Sequence, residues 1–313
     1  MKFSVFSIIV FSIFFFFIRV CNGGKILAIL PTAAFSHQQF YRSFLIELHK
    51  RGHNLTVATA NPINNTNMTD YREIDLGYGY DYLQKFIHEG FGSKKSQRMD
   101  PLSFFPVALK IVFTICEKTL ADDNLMSLYK NNEKFDLIIL EWGINTCFYP
   151  FEKLSDGKII GIASYEIGTL THLALGNPSN PAYCPDPSLD FTHEMNFSER
   201  VSSFLSYVTS FVVQIYIKWK ENKIAEKYFG NDMTSSYVTE KKVALVFDNS
   251  NPITSYPRPG SVNFIPLGGP PFHLNNRKFK KLSEVSVNNF FFRGVFPPGR
   301  TSYHVRNFRG MNE

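Results

Sequence analysis

The stretch Lys25-Ile-Leu-Ala-Ile-Leu-Pro-Thr-Ala-Ala-Phe-Ser-His-Gln38 decides the fold, because an apolar run passes through a short turn into a helical pattern. Ser36 is placed to cap the start of that helix, and Gly52 is placed to end it. The pattern predicts a strand, a loop, an amphipathic helix and a second strand at residues 25–30, 31–37, 38–51 and 55–59.

The rest of the chain repeats this alternation. Further strands are predicted at residues 71–75, 135–140, 158–163 and 243–247. Helices are predicted at residues 101–130 (as one helix or two), 145–154 and 197–229. Residues 176–187 contain four prolines, so this stretch is a long ordered loop at the carboxyl side of the sheet. The rhythm predicts a Rossmann-like α/β parallel sheet with helices on both faces.

The two ends of the chain differ from the body. Residues 3–18 form an uncharged run rich in Phe and Ile, which predicts a secretory signal peptide over residues 1–23. An uncleaved anchor is the alternative, although the run is short for a membrane span. We expect a body at 24–272, a basic, disordered tail at 273–313, and a product in the endoplasmic reticulum lumen or secreted. No other stretch is predicted to cross a bilayer.

Acceptor sequences for N-glycosylation agree with that route. They lie at Asn54, Asn64, Asn67 and Asn196. Cys21 leaves with the leader, so three cysteines remain, and we predict three buried thiols over one disulfide plus a third thiol. No cluster of Cys and His has the spacing of a metal site. These three cysteines are Cys116, Cys147 and Cys184.

The formal net charge of +6 is no argument for nucleic-acid binding. Residues 273–313 hold eight basic and two acidic residues, whereas residues 24–272 hold 23 basic and 25 acidic ones. The positive balance therefore belongs to the leader and the tail, and the body is close to neutral.

His37 is the leading candidate for chemistry, because the carboxyl ends of parallel strands form the ligand crevice of such sheets. An imidazole there can serve as a general base near neutral pH. The alternative is a capping or surface histidine. Glu141 ends the strand at 135–140, on the same edge, and can orient the imidazole; its alternative is a solvated carboxylate.

Other side chains near strand ends could wall a substrate cleft, although aromatic residues are more often core. The candidates are Phe35, Ser36, Trp142, Tyr165, Phe191 and His193. Residues 31–38 contain no glycine, so a dinucleotide-binding fingerprint is absent from the sequence. The sequence also has no phosphate loop of the P-loop type, no Gly-x-Ser-x-Gly elbow and no His-Glu-x-x-His motif.

Five ordered stretches resemble the N-terminal half of the UDP-glycosyltransferases, most of all the insect enzymes. They are Ile29-Leu-Pro-Thr-Ala-Ala-Phe-Ser-His-Gln38, Lys50-Arg-Gly-His-Asn-Leu-Thr-Val57, Phe135-Asp-Leu-Ile-Ile-Leu-Glu141, Ala174-Leu-Gly-Asn-Pro-Ser-Asn-Pro-Ala-Tyr183 and residues 246–259. The resemblance implies the N-terminal, acceptor-binding domain of a GT-B fold.

The resemblance also implies a role for each partner in the reaction. His37 matches the histidine that deprotonates a hydroxyl of a small lipophilic acceptor for attack on the sugar of UDP-sugar. The family pairs this histidine with an aspartate. Glu141 occupies the position of that aspartate, or Asn145 does if the alignment shifts by four residues. No metal and no cofactor are implied beyond UDP-sugar as co-substrate. Homo- or hetero-oligomers with full-length transferases are a further expectation.

One departure concerns the donor side. The family's C-terminal domain, which binds UDP-sugar, is expected from about residue 285 and has no counterpart in the sequence. We therefore expect a truncated transferase that is inactive alone. The alternative is a non-catalytic lumenal or secreted protein that binds lipophilic ligands or modulates intact transferases.

Overall fold

The computed structural model describes residues 23–65, 67–91, 101–156, 158–185, 189, 191–192, 194–251, 255 and 258–268. Its strands are β1 (Lys25–Leu30), β2 (Asn54–Thr59), β3 (Tyr71–Asp75), β4 (Leu137–Glu141), β5 (Ile159–Ala163), β6 (Leu245–Asp248) and β7 (Phe264–Pro266). They form one sheet in the order β3-β2-β1-β4-β5-β6-β7. Every pairing between neighbouring strands is parallel.

Helices connect the strands. They are α1 (Phe35–Lys50), α2 (Gly79–Phe91), α3 (Pro101–Leu120), α4 (Asp123–Lys130), α5 (Thr169–Ala174), α6 (Phe197–Phe229) and α7 (Ser236–Lys242). A 3₁₀ helix, Thr146–Ser155, follows β4. Helix α1 ends as predicted, because Gly52 follows it with a φ of 88°, a conformation that glycine adopts without steric cost.

Alternate residues of β1 separate two hydrophobic cores on opposite faces of the sheet. Leu27 and Ile29 pack into the core that α3, α4, the 3₁₀ helix and α6 cover. Ile26, Ala28 and Leu30 pack into the core that α1 covers. This period of two is that of a strand buried on both sides. The predicted α/β sheet with helices on both faces is thus confirmed.

The order of the strands locates the crevice. Strand β1 pairs with β2 on one side and with β4 on the other, so the connections after β1 and β4 diverge. Ligands of open α/β sheets bind at such a switch point, outside the carboxyl ends of the strands. Glu141 is the last residue of β4, and α1 begins just after β1.

Several local predictions differ from the structure. The stretch predicted as an α-helix at 145–154 is a 3₁₀ helix that contains Pro150, whose missing N–H cannot enter an α-helical ladder. Residues 101–130 form two helices, which is one of the two predicted forms. Strand β7 and helices α5 and α7 were not predicted, because elements of three to seven residues are too short to show a period.

The prediction of three buried thiols is wrong. Cys116 of α3 and Cys147 of the 3₁₀ helix form a disulfide, and Cys184 is buried outside that pair. The two paired cysteines lie 31 residues apart, and only the packing of α3 against the 3₁₀ helix brings them together. Spacing along the chain carries no sign of this contact.

Two further predictions fall outside the described residues: the leader, apart from Gly23, and the tail. Within the described ranges, no helix combines the length and the apolarity needed to cross a membrane.

Candidate active site

His37 lies in the first turn of α1, not in a loop. The helix begins at Phe35 with Ala34 at its N-cap, where no side chain forms a capping hydrogen bond; the prediction that Ser36 caps the helix is therefore wrong. Gln38 fixes the preceding turn instead. Its amide nitrogen donates to the carbonyl oxygens of Leu30 (2.9 Å) and Thr32 (2.7 Å).

Glu141 is buried at the carboxyl end of β4, with only 2% of its surface exposed. Its Oε1 accepts a hydrogen bond from the Tyr41 hydroxyl (2.8 Å). Its Oε2 accepts from the backbone N–H of Thr32 (3.2 Å) and from the Asn145 amide (3.4 Å). All three groups donate, as a charged carboxylate that can only accept requires. The alternative of a solvated strand-end carboxylate is therefore wrong.

The two candidates face each other. His37 Nδ1 lies 3.8 Å from Glu141 Oε1, which is longer than a hydrogen bond. This Nδ1 is fully buried and has no hydrogen-bond partner. The Tyr165 ring lies 5.8 Å from the His37 ring, centroid to centroid. His37 is thus neither a capping nor a surface residue; it is a buried imidazole whose Nδ1 faces the Glu141 carboxylate.

The surrounding phenols remain protonated. Burial, and then the Glu141 charge, raise the pKa of both Tyr41 and Tyr165 well above 10. Tyr41 therefore keeps its proton as a donor to Glu141, and its hydroxyl also lies 3.2 Å from Ser164 Oγ. The Tyr165 hydroxyl donates to the backbone oxygen of Trp142 (3.0 Å).

Asn145 joins the same hydrogen-bond network. Glu141 and Asn145, the two alternatives for the family's aspartate, therefore lie in one cluster. The Asn145 backbone is left-handed, with a φ of 57°, which asparagine tolerates better than most residues. Its amide donates to Thr32 Oγ1 (3.0 Å) as well as to Glu141.

The two residues after Asn145 are held by contacts to helices α6 and α3. Thr146 donates to Glu221 Oε2 of α6 from its backbone N–H (3.1 Å) and its hydroxyl (2.5 Å). Cys147 is bonded to Cys116 of α3. We call these four residues the clamp, because they hold the segment that carries Asn145. Both sulfur atoms are in the disulfide, so the group formed by the cysteines and Glu221 has no thiolate to offer a metal.

Sequence reasoning missed Thr32, Tyr41 and Glu221. Tyr41 and Glu221 lie on helices, and their partners at Glu141 and Thr146 are 100 and 75 residues away in the chain. The only local signal is the hydroxyl of Tyr41 within the apolar face of α1, because Glu221 stands among residues 218–223, most of which are charged or polar.

The other candidates lie in different surroundings. Trp142 is fully buried, stacked 4.7 Å from the Tyr149 ring and so close to Gly161 that an added Cβ would lie 2.5 Å from the indole. It is core, and its assignment to a cleft wall is wrong. Phe35 and Ser36 are exposed beside His37. Phe191 is half-buried in the described part of the proline-rich region, whereas His193 lies outside the described residues.

The four asparagines of the predicted glycosylation sites are all exposed: Asn54, Asn64, Asn67 and Asn196. Asn196 also caps α6, since its side chain accepts from the Glu199 N–H while the Glu199 carboxylate accepts from the Asn196 N–H.

Comparison with known proteins gives a consistent picture. A family model described as "UDP-glucoronosyl and UDP-glucosyl transferase" matches residues 24–289. UDP-glucosyltransferase 2 of Dactylopius coccus is 28% identical over 290 residues, which cover 90% of this chain and 55% of the relative. UDP-glycosyltransferase UGT5 of the same insect is 27% identical, covering 81% of this chain and 48% of the relative.

A vertebrate relative matches over a similar range. UDP-glucuronosyltransferase 3A1 of Xenopus laevis is 25% identical, covering 79% of this chain and 48% of the relative. The chain thus spans about half the length of the curated relatives it matches. The family match extends past residue 272, the predicted end of the body, and the described residues end at Gly268; that boundary stays a prediction.

Proposed function

The chain belongs to the UDP-glucoronosyl and UDP-glucosyl transferase family, and we propose that it forms the acceptor half of a transferase in which His37 is the general base. His37 takes the proton of an acceptor hydroxyl through Nε2. The acceptor oxygen then bonds to the anomeric carbon of the sugar. The bond from that carbon to the phosphate oxygen breaks, and its electron pair leaves with UDP.

The observation that carries this proposal is the buried pair of His37 and Glu141 at the carboxyl edge of the sheet. When the imidazole gains a proton at Nε2 and carries Nδ1–H, the positive charge lies next to a carboxylate that is already held by three donors. A positioned carboxylate orients the ring and stabilises the imidazolium.

The separation of 3.8 Å must close by about 1 Å to give a hydrogen bond, and catalytic hydrogen bonds are often long before substrate binds. Glu141 is fixed by Tyr41, Thr32 and Asn145, so the ring of His37 is the part expected to move. We propose that acceptor binding beside Tyr165 and Phe35 brings about this closure.

The acceptor class follows from the same surface. Phe35, two residues before His37, is 46% exposed at the start of α1, and the Tyr165 ring lies beside the imidazole. An aromatic ring beside the base and an exposed aromatic side chain at the same helix end favour a small lipophilic molecule with a hydroxyl group. UDP-sugar is proposed as the co-substrate, held by a C-terminal domain of the family's type and without a metal.

A lumenal or secreted location is part of the proposal. The disulfide between Cys116 and Cys147 supports it, because disulfides persist in oxidising compartments. The exposure of all four predicted glycosylation asparagines agrees with this route.

The test is sugar transfer by a chimera in which this chain is followed by the C-terminal domain of a relative. With a UDP-sugar and a phenolic acceptor, His37→Gln is expected to lower kcat by 10²-fold or more, since a positioned general base contributes about 10²–10⁴.

The matched control is His49→Gln, which changes a histidine on the same helix that contacts the Thr69 carbonyl. Acceptor binding, followed by fluorescence quenching, should be retained in both variants. Equal turnover of the His37 variant and the unsubstituted chimera would refute the role of His37.

A further inference from the structure

Tyr41 carries a buried hydroxyl that the proposed function uses only as a support for Glu141. It lies on α1 four residues after His37, so both side chains project from the same face of the helix, one turn apart. Tyr41 is only 1% exposed. Neighbouring turns of one helix therefore present a phenol and an imidazole to the same carboxylate.

The two side chains converge on a single oxygen atom. Glu141 Oε1 accepts a hydrogen bond from the Tyr41 hydroxyl at 2.8 Å and lies 3.8 Å from His37 Nδ1. The other oxygen, Oε2, accepts from the Thr32 N–H and the Asn145 amide. Tyr41 thus shares its acceptor atom with the proposed base, and a change at its hydroxyl acts on the atom that the imidazole faces.

A third side chain extends this contact into a chain of hydrogen bonds. Ser164 directly follows β5, and its Oγ lies 3.2 Å from the Tyr41 hydroxyl. A carboxylate can only accept, so the single proton of Tyr41 is engaged with Glu141, and the Ser164 hydroxyl donates to the Tyr41 oxygen. Burial raises the pKa of Tyr41 well above 10, and the bond from Ser164 offsets this in part, as a donor to the phenol oxygen does.

We propose that Tyr41 is a positioning residue which, through Glu141, limits how tightly His37 holds a proton before the acceptor binds. A general base must be unprotonated when the acceptor arrives, and a carboxylate beside an imidazole favours the protonated ring. The phenol donor disperses part of the charge on Oε1. Glu141 can therefore orient the ring without leaving it protonated beforehand. This inference rests on the function proposed for His37.

The ionisable groups around the imidazole come from three elements. They are Tyr41 on α1, Glu141 at the end of β4 and Tyr165 just after β5. Burial, and then the Glu141 charge, raise the pKa of both phenols well above 10, so Glu141 supplies the charge of this group. The carboxyl groups of Glu221 on α6 and Asp248 on β6 also raise the pKa of Tyr165, and neither is altered in the variants below.

The first experiment follows kcat/KM against pH in the chimera with a relative's C-terminal domain, because the acid limb of this profile reports the base of the free enzyme. Tyr41→Phe keeps the ring and removes the donor. Since a hydrogen bond to a charged group is lost, the midpoint of the acid limb should move to higher pH by about one unit. Below the midpoint kcat/KM then falls about tenfold, whereas the alkaline plateau stays within a few-fold of the parent.

Two further variants grade this effect. Ser164→Ala removes the end of the chain of hydrogen bonds and keeps the bond from Asn249 to the backbone oxygen of residue 164. It should shift the midpoint in the same direction by about 0.3 units, because one bond strengthens the next by roughly 10–30%. Tyr149→Phe is the matched control. It removes another fully buried phenol hydroxyl, which accepts from the Gly143 N–H at 3.2 Å, and should leave the midpoint unchanged.

The second experiment observes the imidazole without any reaction. Two-dimensional NMR of the chain labelled at histidine gives a titration curve for each ring, and His37→Gln identifies the curve of His37 by its absence. The midpoint of that curve should move to higher pH in Tyr41→Phe by the same amount as the kinetic midpoint. Agreement between the two would assign the shift to the ring itself.

Three results would overturn the inference. One is an equal midpoint in Tyr41→Phe and Tyr149→Phe, and another is a shift of the Tyr41→Phe midpoint to lower pH. The third is a loss of kcat/KM by the same factor at every pH, as a purely structural role would give. The proposed function fails separately, through full turnover in His37→Gln, and the NMR midpoints would then still decide whether Tyr41 acts on the ring.

Discussion

Glu141 and Glu221 are two buried carboxylates in different surroundings, although Glu221 binds Thr146, which lies only five residues after Glu141. Glu141 receives three hydrogen bonds and faces an imidazole. Glu221 receives two bonds from Thr146 and faces the sulfur of Cys116 at 3.5 Å. Lys218, one turn earlier on α6, is bonded to Glu240 at 2.7 Å instead.

The difference shows that burial alone does not decide what a carboxylate does. Burial raises the pKa of Glu221 from 4.5 to about 7, and the Thr146 bonds offset this only in part. Glu221 therefore gains a proton near neutral pH and holds a backbone segment. Glu141 has the ring of His37 within 3.8 Å, and in the proposed mechanism it stabilises the charge that appears on that ring.

The largest expected effect comes from removing the charge of Glu141. Glu141→Gln keeps the size of the side chain and should lower kcat of the chimera by about 10²–10⁴-fold, because the ring loses its orienting anion. KM for the acceptor should change little. The measurement is turnover against pH, with Glu47→Gln on the exposed side of α1 as the control. Full turnover in Glu141→Gln would assign Glu141 to structure alone.

The clamp should matter for stability more than for chemistry. Replacing both Cys116 and Cys147 by Ala is expected to lower the free energy of unfolding by about 3–4 kcal/mol, given the 31-residue separation that the disulfide closes. Urea denaturation measures this, with Cys184→Ala as the control for losing a buried sulfur. A loss no larger than that of the control would show that α3 and the 3₁₀ helix are held by packing.

Glu221 should give the smallest effect, visible as a dependence of stability on pH. The folded chain binds this proton more tightly than the unfolded chain, so stability is lost as pH rises from 4.5 to about 7. The loss amounts to about 3 kcal/mol.

Glu221→Gln removes this contribution. The free energy of unfolding of the variant, measured by urea denaturation, should therefore increase relative to that of the parent between pH 5 and pH 8. Asp248, whose pKa is also raised by burial, titrates in both proteins and cancels in the difference. Glu240 contributes to the raised pKa of Glu221, so the measured difference includes the coupling between these two carboxyl groups. Parallel stability curves for the two proteins would contradict the raised pKa. Turnover should change only a few-fold, in contrast to Glu141→Gln.

The parts of this fold that follow from local patterns could be predicted. Helix α6 has the predicted bounds because its start is marked by a capping box and its end by Gly230. Strands β1 and β3 also have the predicted bounds. His37 and Glu141 could be placed together because parallel strands end at one edge.

What could not be predicted depends on contacts between distant residues. Trp142 follows a strand, as a cleft residue would, and only the absence of a side chain at Gly161 lets it turn into the core. The pairing of Cys116 with Cys147 depends on how α3 crosses the 3₁₀ helix. The start of α1 depends on Gln38, whose bonds to Leu30 and Thr32 replace a capping side chain.

The central position of β1 has a consequence for the time course of synthesis. Its neighbour β2 follows within 30 residues, but its other neighbour, β4, is more than 100 residues further along the chain. Chains are synthesised at about 5–20 residues per second, so one edge of β1 stays unpaired for on the order of 5–20 seconds before β4 is made. During that interval an apolar strand has an open edge, which invites pairing with other chains. Asn54, Asn64 and Asn67 lie in or next to the strand pair already available, so glycans attached there would shield the growing sheet while it is incomplete.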